Sequence, residues 1–185
     1  MTSTESTAFD LGAIAPEFAL PDVVTGNIIR RDDFQSKRAL LVMFICAHCP
    51  YVKHLNHALA ALGKDYAGRP VGIVAIGSND ATTHPDDSPE GLKQQAETFG
   101  FTFPYLYDKT QEVAHAYKAV CTPDFFLFDG DYRLVYRGQF DSSRPRTEIP
   151  VTGEDLRTAI DKVLAGQPVP AEQRASVGCS IKWKK

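Results

Sequence analysis

The sequence has no apolar run approaching the roughly 18 residues that a membrane-spanning helix requires, so neither a span nor a membrane partner is expected. It also lacks an excess of either charge: 20 Lys and Arg stand against 23 Asp and Glu, a net charge of −3. That balance offers no basic surface to nucleic acid and none of the charge surplus that keeps a chain unfolded. Cysteine is scarce, with Cys 4 among 185 residues. So few cysteines do not make a disulfide scaffold, and they point to a reducing compartment. Residues 1–10 carry neither the basic start nor the apolar core of a secretory leader, so the expected location is cytoplasmic. Internal repeats and low-complexity segments are absent as well.

What is there suffices for a single buried core, since 43% of the residues are hydrophobic. The expected organisation is a mobile tail over residues 1–10, one domain over 11–165, and a C-terminal tail over 166–185. Ile181 and Trp183 favour packing that last tail back on the domain. Ala39 to Ile45 is a continuous apolar run of the length of a buried central strand. Val52, Leu55, Leu59 and Leu62 then recur at helical spacing from Pro50 to about Tyr66. Val71 to Ile76 predicts a second buried strand, and Pro89 to Phe99 a helix between the N-cap Ser88 and Gly100. Asp108 to Tyr117 predicts a short helix, and Asp129-Gly130-Asp131 a hairpin between strands Asp124–Asp129 and Tyr132–Gly138. A last helix, capped by Thr152, runs to Leu164. Alternating elements followed by an antiparallel hairpin specify an α/β fold, a central mixed β-sheet flanked by helices on both faces.

The chemistry lies at the junction of the first buried strand and its helix, in Cys46-Ala47-His48-Cys49. A thiol at a helix start faces unpaired N–H groups and the positive end of the helix dipole, which favour the nucleophilic thiolate. Cys46 is expected to be the more exposed and more acidic of the pair, attacking a substrate disulfide, with Cys49 resolving the mixed disulfide. His48 either tunes the Cys46 pKa by donating to its thiolate or is a surface imidazole. Zinc is the other use of a close cysteine pair, but it requires two further ligands, and Cys121 and Cys179 stand alone. No metal and no bound organic cofactor are expected.

Strand, Cys-x-x-Cys, helix resembles the thioredoxin superfamily. Thr122-Pro123, just before the strand Asp124–Asp129, resembles the site where that fold sets a cis-proline against the cysteine pair. The resemblance implies that Pro123 is cis and that Thr122 presents its backbone to a bound substrate. Across residues 12–165 the chain is similar to the redoxin branch, which joins peroxiredoxins to membrane-linked thiol reductases. The similarity rests on Ala15-Pro16-Glu17-Phe18-Ala19-Leu20-Pro21-Asp22, on Cys49-Pro50-Tyr51-Val52-Lys53-His54, on Phe103-Pro104-Tyr105-Leu106 and on Tyr136-Arg137-Gly138. With Gly178-Cys179-Ser180-Ile181-Lys182-Trp183 at its end, the chain looks like a peroxiredoxin-like or thioredoxin-family protein with a Cys-x-x-Cys motif.

Peroxiredoxins resemble one another in Pro-x-x-x-Thr-x-x-Cys. Counted from Cys46, the threonine and proline positions hold Met43 and Ala39; counted from Cys49, they hold Cys46 and Val42. The arginine that assists peroxide chemistry aligns with Pro123. The expected function is therefore thiol–disulfide exchange with protein or small-molecule disulfides, supplied with electrons by a partner dithiol. A thiol peroxidase with antioxidant activity and a redox-responsive binding module are the alternatives. The acids that related proteins place near the pair are replaced here by Leu40 and Val52, which leaves the proton acceptor for Cys49 unassigned, with Lys53, His54, Asp80 and Asp108 as candidates that could equally be solvated residues. Cys121 and Cys179 are possible auxiliary thiols, Cys121 being either a third exchange partner or a small buried core residue.

Overall fold

A computed structural model describes residues 3–7 and 10–185 of the chain. Strand β1 is Ser3–Glu5, β2 is Ala19–Pro21 and β3 is Ile28–Arg30; the last two form a small antiparallel ladder of their own. The central strand β4, Ala39–Phe44, is buried at every position. Strand periodicity divides its side chains between two cores. Leu41 and Met43 join one face with Val52, Leu55 and Leu59, while Leu40, Val42 and Phe44 join the other with Tyr117, Phe126 and Phe128.

Helix α1, Pro50–Asp65, follows β4, and β5, Val71–Gly77, returns parallel to it. Helix α2 is Pro89–Phe99, held at its start by the Ser88 side chain accepting from the Gly91 N–H. Strand β6, Tyr105–Tyr107, helix α3, Glu112–Ala116, and β7, Cys121–Thr122, come next. Then follow β8, Asp124–Asp129, β9, Leu134–Tyr136, helix α4, Glu154–Leu164, and β10, Val177–Ser180. The main sheet has the order β6-β5-β4-β8-β9, with β4 parallel to β5 and antiparallel to β8. Residues of α1, α2 and α4 pack on one face, and α3 lies on the other with Ala15 and Phe18. The mixed sheet between helical layers is the expected fold class.

Several details differ from the sequence expectation. Ser3–Glu5, placed in a mobile tail by its composition, forms β1 and pairs antiparallel with β10. Helix α3 begins at Glu112 because Asp108, expected inside it, turns its carboxylate to accept from the Ala114 N–H. Helix α4 is capped at Gly153, not Thr152, with the glycine in the left-handed region at φ 70. Asp141 accepts the Thr152 and Gly153 amides there, doing from another segment what a local cap would do. No helix among the described residues is long and apolar enough to cross a membrane.

Candidate active site

Ile45 extends the ladder of β4 by donating to the Ile76 carbonyl, and the chain then leaves the sheet through Cys46, Ala47 and His48. Pro50 has no N–H and is at home in the first helical turn, which puts the helix boundary on Cys49. Cys49, not Cys46, is therefore the N-cap; its carbonyl accepts the Lys53 N–H at 2.9 Å. Cys46 lies outside the helix, before the turn that the dipole argument addresses. Nor is it the more exposed thiol, for both cysteines are 0% exposed.

The two sulfurs meet at one residue. Thr122 Oγ1 lies 3.3 Å from Cys46 Sγ, and the Thr122 carbonyl accepts from Cys49 Sγ at 3.3 Å. The Thr122–Pro123 bond is cis, and Pro123 joins Tyr51, His54 and Arg144 around a cavity of about 20 Å³. Thr122 and Pro123 thus stand beside the pair, where the resemblance puts them.

Asp87 is the residue that sequence reasoning missed. From the 3₁₀ turn before α2 its buried carboxylate accepts the Ala47 N–H at 2.7 Å and the His48 N–H at 3.1 Å. The Asn79 side-chain amide donates to its other oxygen at 2.9 Å, and His48 Nδ1 pairs with that same oxygen. Burial works against this charge, but His48, Asn79 and the Ala47 amide outweigh it and hold the Asp87 carboxyl below its ordinary range. The imidazole expected to tune Cys46 directly is therefore turned to Asp87. Nothing in Pro85-Asp86-Asp87-Ser88 distinguishes this acid from a solvated turn residue until the fold closes on it.

Electrostatics divide the pair accordingly. Burial pushes the Cys46 thiol up, reinforced by its hydrogen bond to Cys49 and by the Asp87 charge. Cys49 is lowered to about 5, chiefly because the Cys46 thiol donates to it, with further help from the Cys179 thiol and the Val52 and Cys179 amides, against the cost of burial. Helix position and electrostatics both favour the charged form at Cys49 over Cys46, to which the spacing assigned it.

A buried polar chain backs the loop. Gln95 Nε2 donates to the Cys46 carbonyl at 3.1 Å and to Asn56 Oδ1 at 2.9 Å, and the Tyr105 hydroxyl donates to Gln95 Oε1 at 3.0 Å. The candidate proton acceptors are engaged with other partners or with solvent. Asp108 accepts from the Ser78 hydroxyl, Asp80 from Thr82, and His54 Nε2 meets Ser143 Oγ, while Lys53 is exposed. Cys46, His48 and Asp87 offer ligand atoms all within 4.8 Å of one another, the one such group among the described residues. Both Asp87 oxygens already hold hydrogen bonds there, so the set serves the loop as it stands.

Of the other thiols, Cys121 is buried, donates to the Pro123 carbonyl at 3.7 Å and is held neutral by burial. Cys179 is only 3% exposed, and β10 sets it in register opposite Thr122. The tail beyond it is anchored too: the Lys182 N–H donates to Asn79 Oδ1 at 2.8 Å, and Trp183 stacks on His115.

Residues 11–137 match the AhpC/TSA family. A thiol-disulfide oxidoreductase ResA from Geobacillus thermodenitrificans is 30% identical over 168 residues, covering 86% of this chain and 82% of the relative. The crystal structure of an uncharacterized conserved protein from Geobacillus kaustophilus matches with a TM-score of 0.97 at 56% identity, covering 100% of this chain and 97% of that one. The thioredoxin domain of a thiol-disulfide oxidoreductase from Bacteroides vulgatus shares the fold, with a TM-score of 0.66 at 20% identity over 85% of this chain and 99% of that one. The fold is thioredoxin-like, and the chain belongs to the AhpC/TSA family as an oxidoreductase whose chemistry is carried by thiols.

Proposed function

We propose that the protein exchanges the Cys46/Cys49 dithiol with substrate disulfides, Cys49 losing the proton it directs at the Thr122 carbonyl and acting as the thiolate. The observation that carries this reading is the convergence of both sulfurs on Thr122, with Cys49 at the helix N-cap. The Cys49 thiolate attacks one sulfur of a substrate disulfide, and the other leaves as a thiolate and takes a proton. Cys46 then gives up its proton and attacks Cys49 Sγ, releasing the second substrate thiol and closing the Cys46–Cys49 disulfide. A partner dithiol reduces that bond and completes the cycle. Both sulfurs are buried, so a substrate reaches them when the cover parts; Ala47 and His48 are the half-buried residues on the loop side. The cytoplasmic location expected from composition belongs to this proposal, as a compartment in which partner dithiols are kept reduced.

A thiol peroxidase is the second reading, favoured by a helix-start thiolate in a member of this family. Against it, Cys46 occupies the threonine position of the peroxiredoxin motif counted from Cys49. Turnover of insulin and of a chromogenic aromatic disulfide, measured beside hydrogen peroxide consumption, separates the readings. The proposal expects disulfide turnover that is lost in Cys49→Ser. Peroxide consumption outpacing disulfide turnover would move the assignment to the peroxidase. A disulfide that forms and reopens without turnover would make the protein a redox-responsive binding module.

A further inference from the structure

We propose that Cys179 is a third exchanging thiol of the redox centre, forming a disulfide with Cys49 within the chain. The inference rests on the reading of Cys46 and Cys49 as the exchanging pair and adds a sulfur to it. Its basis is the path of the C-terminal segment. β10 runs antiparallel to β7, with Cys179 opposite Thr122 and Ser180 opposite Cys121. Thr122 is the residue whose hydroxyl meets Cys46 and whose carbonyl meets Cys49, so the ladder register delivers Cys179 to the pair.

That register is held from every side. Ser176 Oγ donates to the Pro123 carbonyl at 2.7 Å, β1 pairs along the outer edge of β10, and the Ile181 N–H donates to the Val120 carbonyl at 2.9 Å. Gly178 permits the close approach, because a Cβ there would fall on the Thr122 carbonyl and crowd the Pro123 nitrogen. Cys179 packs in the same core as Cys46 and Cys49. A buried third thiol in the core of the redox pair, in register with the Thr122 that both sulfurs meet, is placed for exchange, not for packing alone.

The segment also fills an edge. An extended polypeptide adds to an open strand by backbone pairing, and β10 takes that position along β7. Within its own fold the chain presents Cys179 to Cys49 as an extended substrate would present a cysteine.

The step balances without an outside reagent once the Cys46–Cys49 disulfide has formed. Cys179 loses its proton, and its thiolate attacks Cys49 Sγ. The Cys49–Cys179 bond forms as the Cys46–Cys49 bond breaks, and the electron pair leaves on Cys46 Sγ, which takes up a proton. Oxidation level is unchanged; one disulfide has moved and Cys46 is free again.

Disulfide mapping by mass spectrometry tests this on Cys46→Ser and on the wild type, each oxidised with stoichiometric diamide and quenched in acid. The expected result is loss of the free thiol at both Cys49 and Cys179 in Cys46→Ser, with a peptide linked through the two. In the wild type, linked peptides of both kinds, Cys46–Cys49 and Cys49–Cys179, are expected. A free Cys179 in both proteins, with Cys49 of the variant captured only as a mixed or intermolecular disulfide, overturns the inference. Wild-type turnover of the aromatic disulfide is run in parallel. Turnover with free Cys179 leaves the dithiol reading standing and this one rejected; linked Cys49–Cys179 without turnover supports this one and rejects the other.

Discussion

Two amides that a free helix start would aim at sulfur are bound instead by a carboxylate: Ala47 and His48 both donate to Asp87 Oδ1. The consequence is a charge placed against Cys46, which raises that thiol while Cys49 is lowered. The cysteine spacing and the proline after it were legible as a reactive pair at a helix start. Which cysteine is the thiolate was not, because that turns on the exact cap residue and on an acid 40 positions away along the chain. Asp87→Asn keeps an acceptor for the two amides and removes the charge. It is expected to lower the Cys46 pKa and, at alkaline pH where Cys46 ionises, to stabilise the reduced pair relative to the disulfide and so raise the reduction potential there. One pK unit corresponds to about 30 mV in this two-electron couple, and a rise of that order is expected. A glutathione redox titration of variant beside wild type checks it, and an unchanged or lowered potential would remove Asp87 from the tuning of the pair.

The elements legible from sequence are those whose signal is local. The apolar run of β4, the helical spacing of α1 and the Asp-Gly-Asp hairpin between β8 and β9 each contain their own instructions. Strands β1, β7 and β10 do not. They are short, and β10 reads as a polar tail until its partners are known. Apolar Ile181 and Trp183 signalled that the tail packs, but the register that puts Cys179 opposite Thr122 is a property of the ladder. Gly178 is the residue on which that ladder depends. Gly178→Ala is expected to push β10 away from Thr122 and destabilise the protein by ~1–3 kcal/mol, the usual cost of overpacking a filled site. Urea unfolding reads the stability, and the alkylation rate of Cys179 reads the displacement, which should rise. If both stay at wild-type values, β10 does not lie against Thr122 as closely as its geometry states.

Burying several thiols in one core makes the stability of the whole molecule depend on pH and on redox state together. Cys49 is lowered to about 5 in the folded protein, whereas a free cysteine has a pKa near 8.5. Between those values the unfolded chain holds a proton that the folded protein has released, so stability rises with pH. It is fully present above the unfolded value and is lost as pH falls through about 5. Burial pushes Cys179 up to about 12 and raises Cys46 as well, and these act in the opposite sense. Their contribution is whole below about 8.5 and fades above it, as the unfolded thiols ionise and the folded ones do not. The reduced protein is therefore expected to gain stability from pH 5 towards pH 8 and to lose it above. His84, held below its ordinary range mainly by burial, adds to the rise near its own titration, and buried Asp124, raised by burial, opposes it at the acid end. Both titrate in either redox state, so the difference between reduced and oxidised protein isolates the thiols. Closing the Cys46–Cys49 disulfide removes two titrating groups, and the rise from pH 5 to pH 8 should largely vanish in urea midpoints of the oxidised form. Cys49→Ser should flatten it in the reduced form. Parallel curves for reduced and oxidised protein over this range would mean that Cys49 is protonated in the fold, and the thiolate assignment would fall with them.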